Sequence, residues 1–197
     1  MMESVLQMLL GQMSGDTLDN ISDQLGINKQ SAQQAVSLAL PLLLGNLNRN
    51  ASTSDGAQAL SNALSRDHDG GILENLVGDL GRQEVVDDGY AILGHVMGDK
   101  RTNAGQNIGK ATGLDADKSM QLLSMLAPVV LGALGKRQRE QSLDAGGIAT
   151  LLTQEREQAS STIPGIAKLL DMDADGDITD EIVGLGSSLL GSLFSNR

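Results

Sequence analysis

The residues best suited to chemistry are Asp171-Met172-Asp173-Ala174-Asp175-Gly176-Asp177-Ile178. Calcium takes about six to eight oxygen ligands in a flexible geometry. In a calcium loop, carboxylates at alternate positions 1, 3 and 5 converge on one centre, and Gly at position 6 lets the chain turn sharply. Asp171, Asp173, Asp175 and Gly176 fit that register, Asp177 offers its backbone carbonyl at position 7, and Ile178 is the apolar anchor. The register breaks at position 12, where Ile182 stands in place of a bidentate Glu. Asp180 or Glu181 completes the sphere only along a different backbone path. A plain turn followed by a helix cap is the other reading. Asp and Gly favour turns, Thr179 suits a cap, and Asp180 and Glu181 would then face the positive end of a helix dipole. That reading leaves four Asp on alternate residues repelling one another without a cation. The metal reading predicts Ca²⁺ at Asp171, Asp173, Asp175, Asp177, Asp180 and Glu181.

Other candidates are thinner. Asp67-His68-Asp69-Gly70-Gly71-Ile72 is a degraded form of the same pattern and reads first as a turn and cap, with a His68 metal site as the lesser alternative. His68 and His95 are the only histidines, and no serine or cysteine stands near either at the spacing of a nucleophile. The carboxylate pairs Asp87/Asp88 and Glu155/Glu157 read as solvated faces. The expectation is a protein that is not an enzyme.

The elements that must position these residues are helical and repeated. Residues 21–47 align without a gap on residues 108–134. Gly26/Gly113, Gln34/Gln121, Ser37/Ser124, Pro41/Pro128, Leu44/Leu131, Gly45/Gly132 and Leu47/Leu134 are identical pairs. Each copy reads as a helix, a Gly turn and a longer helix with a proline inside, which should kink it by removing one hydrogen bond. Asn28 and Asp115 are the predicted caps of the long helices. Their apolar stripes are Ala32, Ala35, Val36, Ala39, Leu40 and Leu43 in one, and Leu122, Leu123, Leu126 and Val130 in the other. Asp16 or Thr17 is expected to cap the preceding helix, and Ser54 or Asp55 one at 57–65. LLGQMSGD at 9–16 resembles ILGHVMGD at 92–99, and the Gly-Gly-Ile of 70–72 has a counterpart at 146–148. The fold class is therefore all-α: a helical bundle with internal pseudo-duplication of a helix–Gly turn–kinked helix unit.

These features divide the chain into a duplicated helical domain at 1–160, with copies at about 9–80 and 92–154, and a C-terminal tail at 161–197. Residues 136–142 read as a charged loop and hinge, and 155–164 as polar linker. Residues 182–194 form an apolar, small-residue-rich run that suits a core helix, a self-association surface or a membrane contact.

Composition agrees with helices. Tyr90 and Phe194 are the only aromatics, so the core must be aliphatic and packed through small residues. Strands favour aromatic and β-branched side chains, which disfavours a sandwich. The net charge is −11, and residues 1–98 hold 4 Lys/Arg against 12 Asp/Glu. Phosphate contacts supply most nucleic-acid affinity, so nucleic acid is not the expected partner. Lys29, Gln30, Gln33 and Gln34 do occupy the start of the second helix of a helix–turn–helix spacing, with Lys136, Arg137 and Arg139 as a separate basic cluster. There is no cysteine, hence no disulfide or thiolate. The first residues lack a basic signal region, no apolar run approaches the roughly 20 residues of a membrane span, and the expected location is cytoplasmic.

The order of an LLG helix, a Leu-Gly-Ile-Asn or Leu-Asp turn, a PLLLG helix, a DGG-I turn and a late DADGD segment resembles the bacterial family of domain of unknown function 937, the YidB-like proteins. The resemblance implies an all-α bundle with a homeodomain-like arrangement, and no catalytic residue. The expected function is non-catalytic interaction or assembly, with a homo-oligomer or another protein as partner and Ca²⁺ as the one candidate cofactor. The alternative is a DNA-associated, helix–turn–helix-like regulator.

Overall fold

Caps and left-handed residues fix where the helices start and stop. The structure is a computed structural model that describes residues 4–162, and no strand occurs among them. Helix α1 (Val5–Gln12) opens on Ser4, whose hydroxyl accepts from the Gln7 N–H at 3.0 Å. Helix α2 (Asp16–Leu25) corrects the expected cap. It starts from Gly15 at φ 59°, with no side-chain cap, and Asp16 lies in its first turn. Gly26, at φ 60°, ends it. Asn28 then caps α3 (Lys29–Asn50) by accepting from the Ser31 N–H at 2.8 Å.

The connector after α3 is shorter than expected. Helix α4 (Ser54–Arg66) is capped by Thr53 and not by Ser54 or Asp55, because the Thr53 hydroxyl accepts from the Gly56 N–H at 3.1 Å. Gly70, at φ 97°, breaks the chain into a 3₁₀ turn at Gly71–Glu74 and the single-turn α5 (Leu76–Asp79). Helix α6 (Gln83–Met97) leads through a 3₁₀ turn to α7 (Arg101–Thr112). Gly113, at φ 76°, ends α7, and Asp115 caps α8 (Ala116–Gln141) by accepting from the Lys118 N–H at 2.8 Å. The last described helix is α9 (Ala145–Thr162).

Helices α3 and α8 form the centre and pack on each other, and each runs unbroken through its proline. Both predicted stripes are buried. Helix α8 goes further, with every residue from Leu122 to Gly135 buried, the pattern of a helix enclosed on all sides. By length and composition alone α8 would also cross a membrane, with mean hydropathy 1.3 over its best window, but 83% of that window is buried inside the bundle. Asn28 and Asp115 cap α3 and α8, left-handed Gly26 and Gly113 precede them, and Pro41 and Pro128 lie inside them, which is a local likeness of two segments and not a demonstrated duplication of the fold. The Gly-Gly-Ile pairs do not correspond: the first enters a 3₁₀ turn, whereas Gly146 and Gly147 lie in the first turn of α9.

Two expected loops are helix. Residues 136–141 continue α8, and the break falls on Ser142, which is left-handed at φ 51°. Residues 155–162 belong to α9, because Glu155 (4% exposed) and Ala159 are buried. Nor is Glu155 solvated. Its carboxylate accepts from the backbone N–H groups of Val5 at 2.7 Å and Leu6 at 2.9 Å. The first N–H groups of a helix have no partner within it, so a buried charge on α9 serves as the cap of α1.

Small residues bring helices into close contact. A Cβ at Gly89 of α6 would overlap the Ser124 carbonyl oxygen of α8, and one at Gly135 would overlap the His68 carbonyl oxygen. The ends of α4 and α8 are further joined by Gln138, whose amide donates to the Ser61 hydroxyl at 2.7 Å and accepts from the Ser65 hydroxyl at 3.2 Å.

Candidate functional site

Helices α4 and α6 face each other across a groove of about 480 Å³. One wall is Gly56, Ala59, Leu60 and Ala63 of α4; the other is Asp88, Ala91, Ile92, His95 and Val96 of α6. Both sets recur at i, i+3, i+4 and i+7, so each wall is one continuous helix face. Leu47 of α3 and Leu131 of α8 make the floor and are buried, whereas Leu60, Ile92 and Val96 are half-buried.

Local sequence explains why the groove exists. A Cβ at Gly56 would overlap the Asn50 carbonyl oxygen, so this glycine lets α4 fold back tightly on α3. Gly89 does the same for α6 on α8. Both walls are thereby seated deep on the central pair, and the small residues Ala59, Ala63 and Ala91 leave the space between them open. Asn50 ties one end together by donating to the Val96 carbonyl at 2.9 Å.

The other end is acidic. Asp67, His68 and Asp88 line it, and all three also border an adjoining cavity of about 210 Å³ that includes Glu84, Ile72 and Pro128. Asp69 beside them is engaged in the turn. One carboxylate oxygen accepts from the Gly71 N–H at 3.0 Å, and the other meets Arg139 at 3.4 Å. The segment 67–72 thus follows its turn-and-cap reading at Asp69. Asp87 and Asp88 are exposed, as expected.

Both histidines come to this one groove, which nothing in their sequence spacing announced. His95 Nδ1 lies 2.8 Å from the Ala91 carbonyl of its own helix. In the neutral ring Nδ1–H donates there and Nε2 is the acceptor nitrogen. Among the described residues no group of three or more His, Asp or Glu side chains could hold a metal ion. The six predicted calcium ligands, Asp171, Asp173, Asp175, Asp177, Asp180 and Glu181, lie outside the described residues, as do 182–194.

Of the helix–turn–helix residues, Gln30, Gln33 and Gln34 form an exposed face of α3. Lys29 pairs with Asp19 at 2.6 Å, both exposed. In the basic cluster two members have acidic partners, Arg139 with Asp69 at 3.4 Å and Arg137 with Glu140 at 3.9 Å.

A family model described as a bacterial protein of unknown function (DUF937) matches residues 7–137. That stretch spans α1 to most of α8 and contains the whole groove. No curated protein and no solved structure matches the chain.

Proposed function

Since the chain belongs to the DUF937 family, bacterial proteins of unknown function, and an open groove among its described residues is lined by two helix faces, we propose that it is a non-catalytic interaction and assembly protein. It holds an apolar helix between α4 and α6 and self-associates, in the cytoplasm. The observation that carries this reading is the groove. A floor of Leu47 and Leu131 under half-buried Leu60, Ile92 and Val96 is a surface suited to the anchors of an amphipathic helix. His95 bonds its own helix carbonyl and not a nucleophile, which fits binding better than catalysis. The net charge of −11 favours a protein partner over a polyanion.

Light scattering on the full chain tests it. At high micromolar concentration the mass is expected to exceed one chain, and Ala91→Asp, placed on an exposed position of the groove wall, is expected to return it to a monomer. A mass unchanged by that variant sinks the groove as the assembly surface.

The reading includes weak Ca²⁺ binding by Asp171, Asp173, Asp175 and the Asp177 carbonyl, completed by water and Asp180 or Glu181. Without a position-12 carboxylate the affinity is expected at about 10⁻⁴ to 10⁻³ M. Bound Ca²⁺ raises the melting temperature by linkage, and Asp173→Asn with Asp175→Asn removes that rise. No heat in calorimetry at millimolar Ca²⁺, with a melting temperature indifferent to chelator, leaves only the turn and cap.

A further inference from the structure

We infer that the groove between α4 and α6 is occupied by the chain's own residues 182–197. This rests on the reading of the groove as a helix-binding surface and names its occupant. Ile182, Leu185, Leu189 and Leu193 recur at i, i+3, i+7 and i+11, one stripe of a helix, with Gly184, Gly191, Ser188 and Ser192 between them. As a helix, 182–194 is about 20 Å long, and the α4 wall from Gly56 to Asp67 is about 17 Å at the same rise per residue.

Charge sets the direction. The groove is acidic at the end marked by Asp67 and Asp88, and it is closed at the other by Asn50 and Val96. The segment carries Asp180 and Glu181 just before its apolar run and Arg197 just after it. Arg197 toward Asp67 and Asp88 gives attraction there and keeps Asp180 and Glu181 away from them. The reverse direction sets carboxylates against carboxylates.

The chain can reach. Thr153 of α9 donates to the Asn48 side-chain oxygen at 3.2 Å, two residues from Asn50 at the groove's end. Thr162 lies about 13 Å further along α9. Residues 163–181 span up to roughly 60 Å when extended. A tether of that length holds the tail at an effective concentration in the millimolar range. At micromolar protein the chain's own tail therefore outcompetes a second copy, and exchange between copies enters only at high concentration.

The absence of cysteine makes the test clean. Ala91→Cys on the α6 wall and Ser188→Cys in the tail are introduced together into the full chain. Mild oxidation at about 1 µM is followed on non-reducing gels against a control pair, Gln106→Cys with Ser188→Cys, in which Gln106 is exposed on α7 outside the groove. The expected result is a disulfide within one chain, formed at least tenfold faster than in the control and slowed severalfold by Arg197→Glu. A disulfide between two chains overturns the intramolecular assignment while leaving the groove as an assembly surface. No preference over the control overturns the tail as occupant, whether or not light scattering has upheld the groove.

Discussion

Gly89→Ala is expected to lower the melting temperature by about 6–12 °C. The added Cβ would overlap the Ser124 carbonyl oxygen, with the Ser124 Cα 3.0 Å away. Backbone cannot rotate aside as a side chain can, so α6 must lift from α8. Overpacking typically costs about 1–3 kcal/mol and more when the obstacle is rigid; at about 3 kcal/mol the shift follows from roughly 2–4 °C per kcal/mol for a domain of this size. The α6 wall moves with its helix, so the same variant should also weaken assembly. Gly113→Ala is the control: it is left-handed at φ 76° but has open space around it, and it should cost only about 1 kcal/mol. Thermal denaturation by circular dichroism reads both. Equal, small shifts would show that α6 and α8 are not in close contact at Gly89.

Glu155→Ala is expected to cost on the order of 3 kcal/mol. Hydrogen bonds to a charged group contribute about 1.5–3 kcal/mol each, and deleting the carboxylate leaves the buried Val5 and Leu6 N–H groups without their acceptor. Glu155→Gln keeps one accepting oxygen but turns an amide NH₂ toward the second donor, so it should recover only part of the loss. Hydrogen exchange separates this from general loosening. The amides of Val5 and Leu6 should lose protection well before those of α8. Uniform loss across the bundle, or no change at α1, would refute the cap.

Much of the bundle was legible because its signals are local. Asn28, Asp115, Gly26 and Gly113 act on backbone within a few residues, and each ends or starts its helix where spacing predicts. The stripes of α3 and α8 are periodic and buried as read. The misplaced boundaries also have local causes. Thr53 outcompeted Ser54 as the cap because one residue decides which hydroxyl reaches the Gly56 N–H. The features that local spacing does not carry are long-range. Glu155 beside Glu157 looks like a polar linker, and only the contact with α1, 150 positions away, makes one of that pair a buried cap. The groove has the same long-range origin. Ala59, Leu60, Ala91 and Ile92 are ordinary helix residues until Gly56 and Gly89 place two separate faces opposite each other.

The Glu155–α1 contact also bears on synthesis. The Val5 N–H of α1 is synthesised 150 residues before the Glu155 carboxylate that accepts from it, and until then water must take that place. At about 5–20 residues per second that interval is roughly 7–30 s. During it the apolar face of Val5, Leu6 and Leu9 has no α9 to close over it. Helix α3 can cover part of that face soon after it is made, but the carboxylate that caps α1 arrives only after most of the described helices, so this contact closes late.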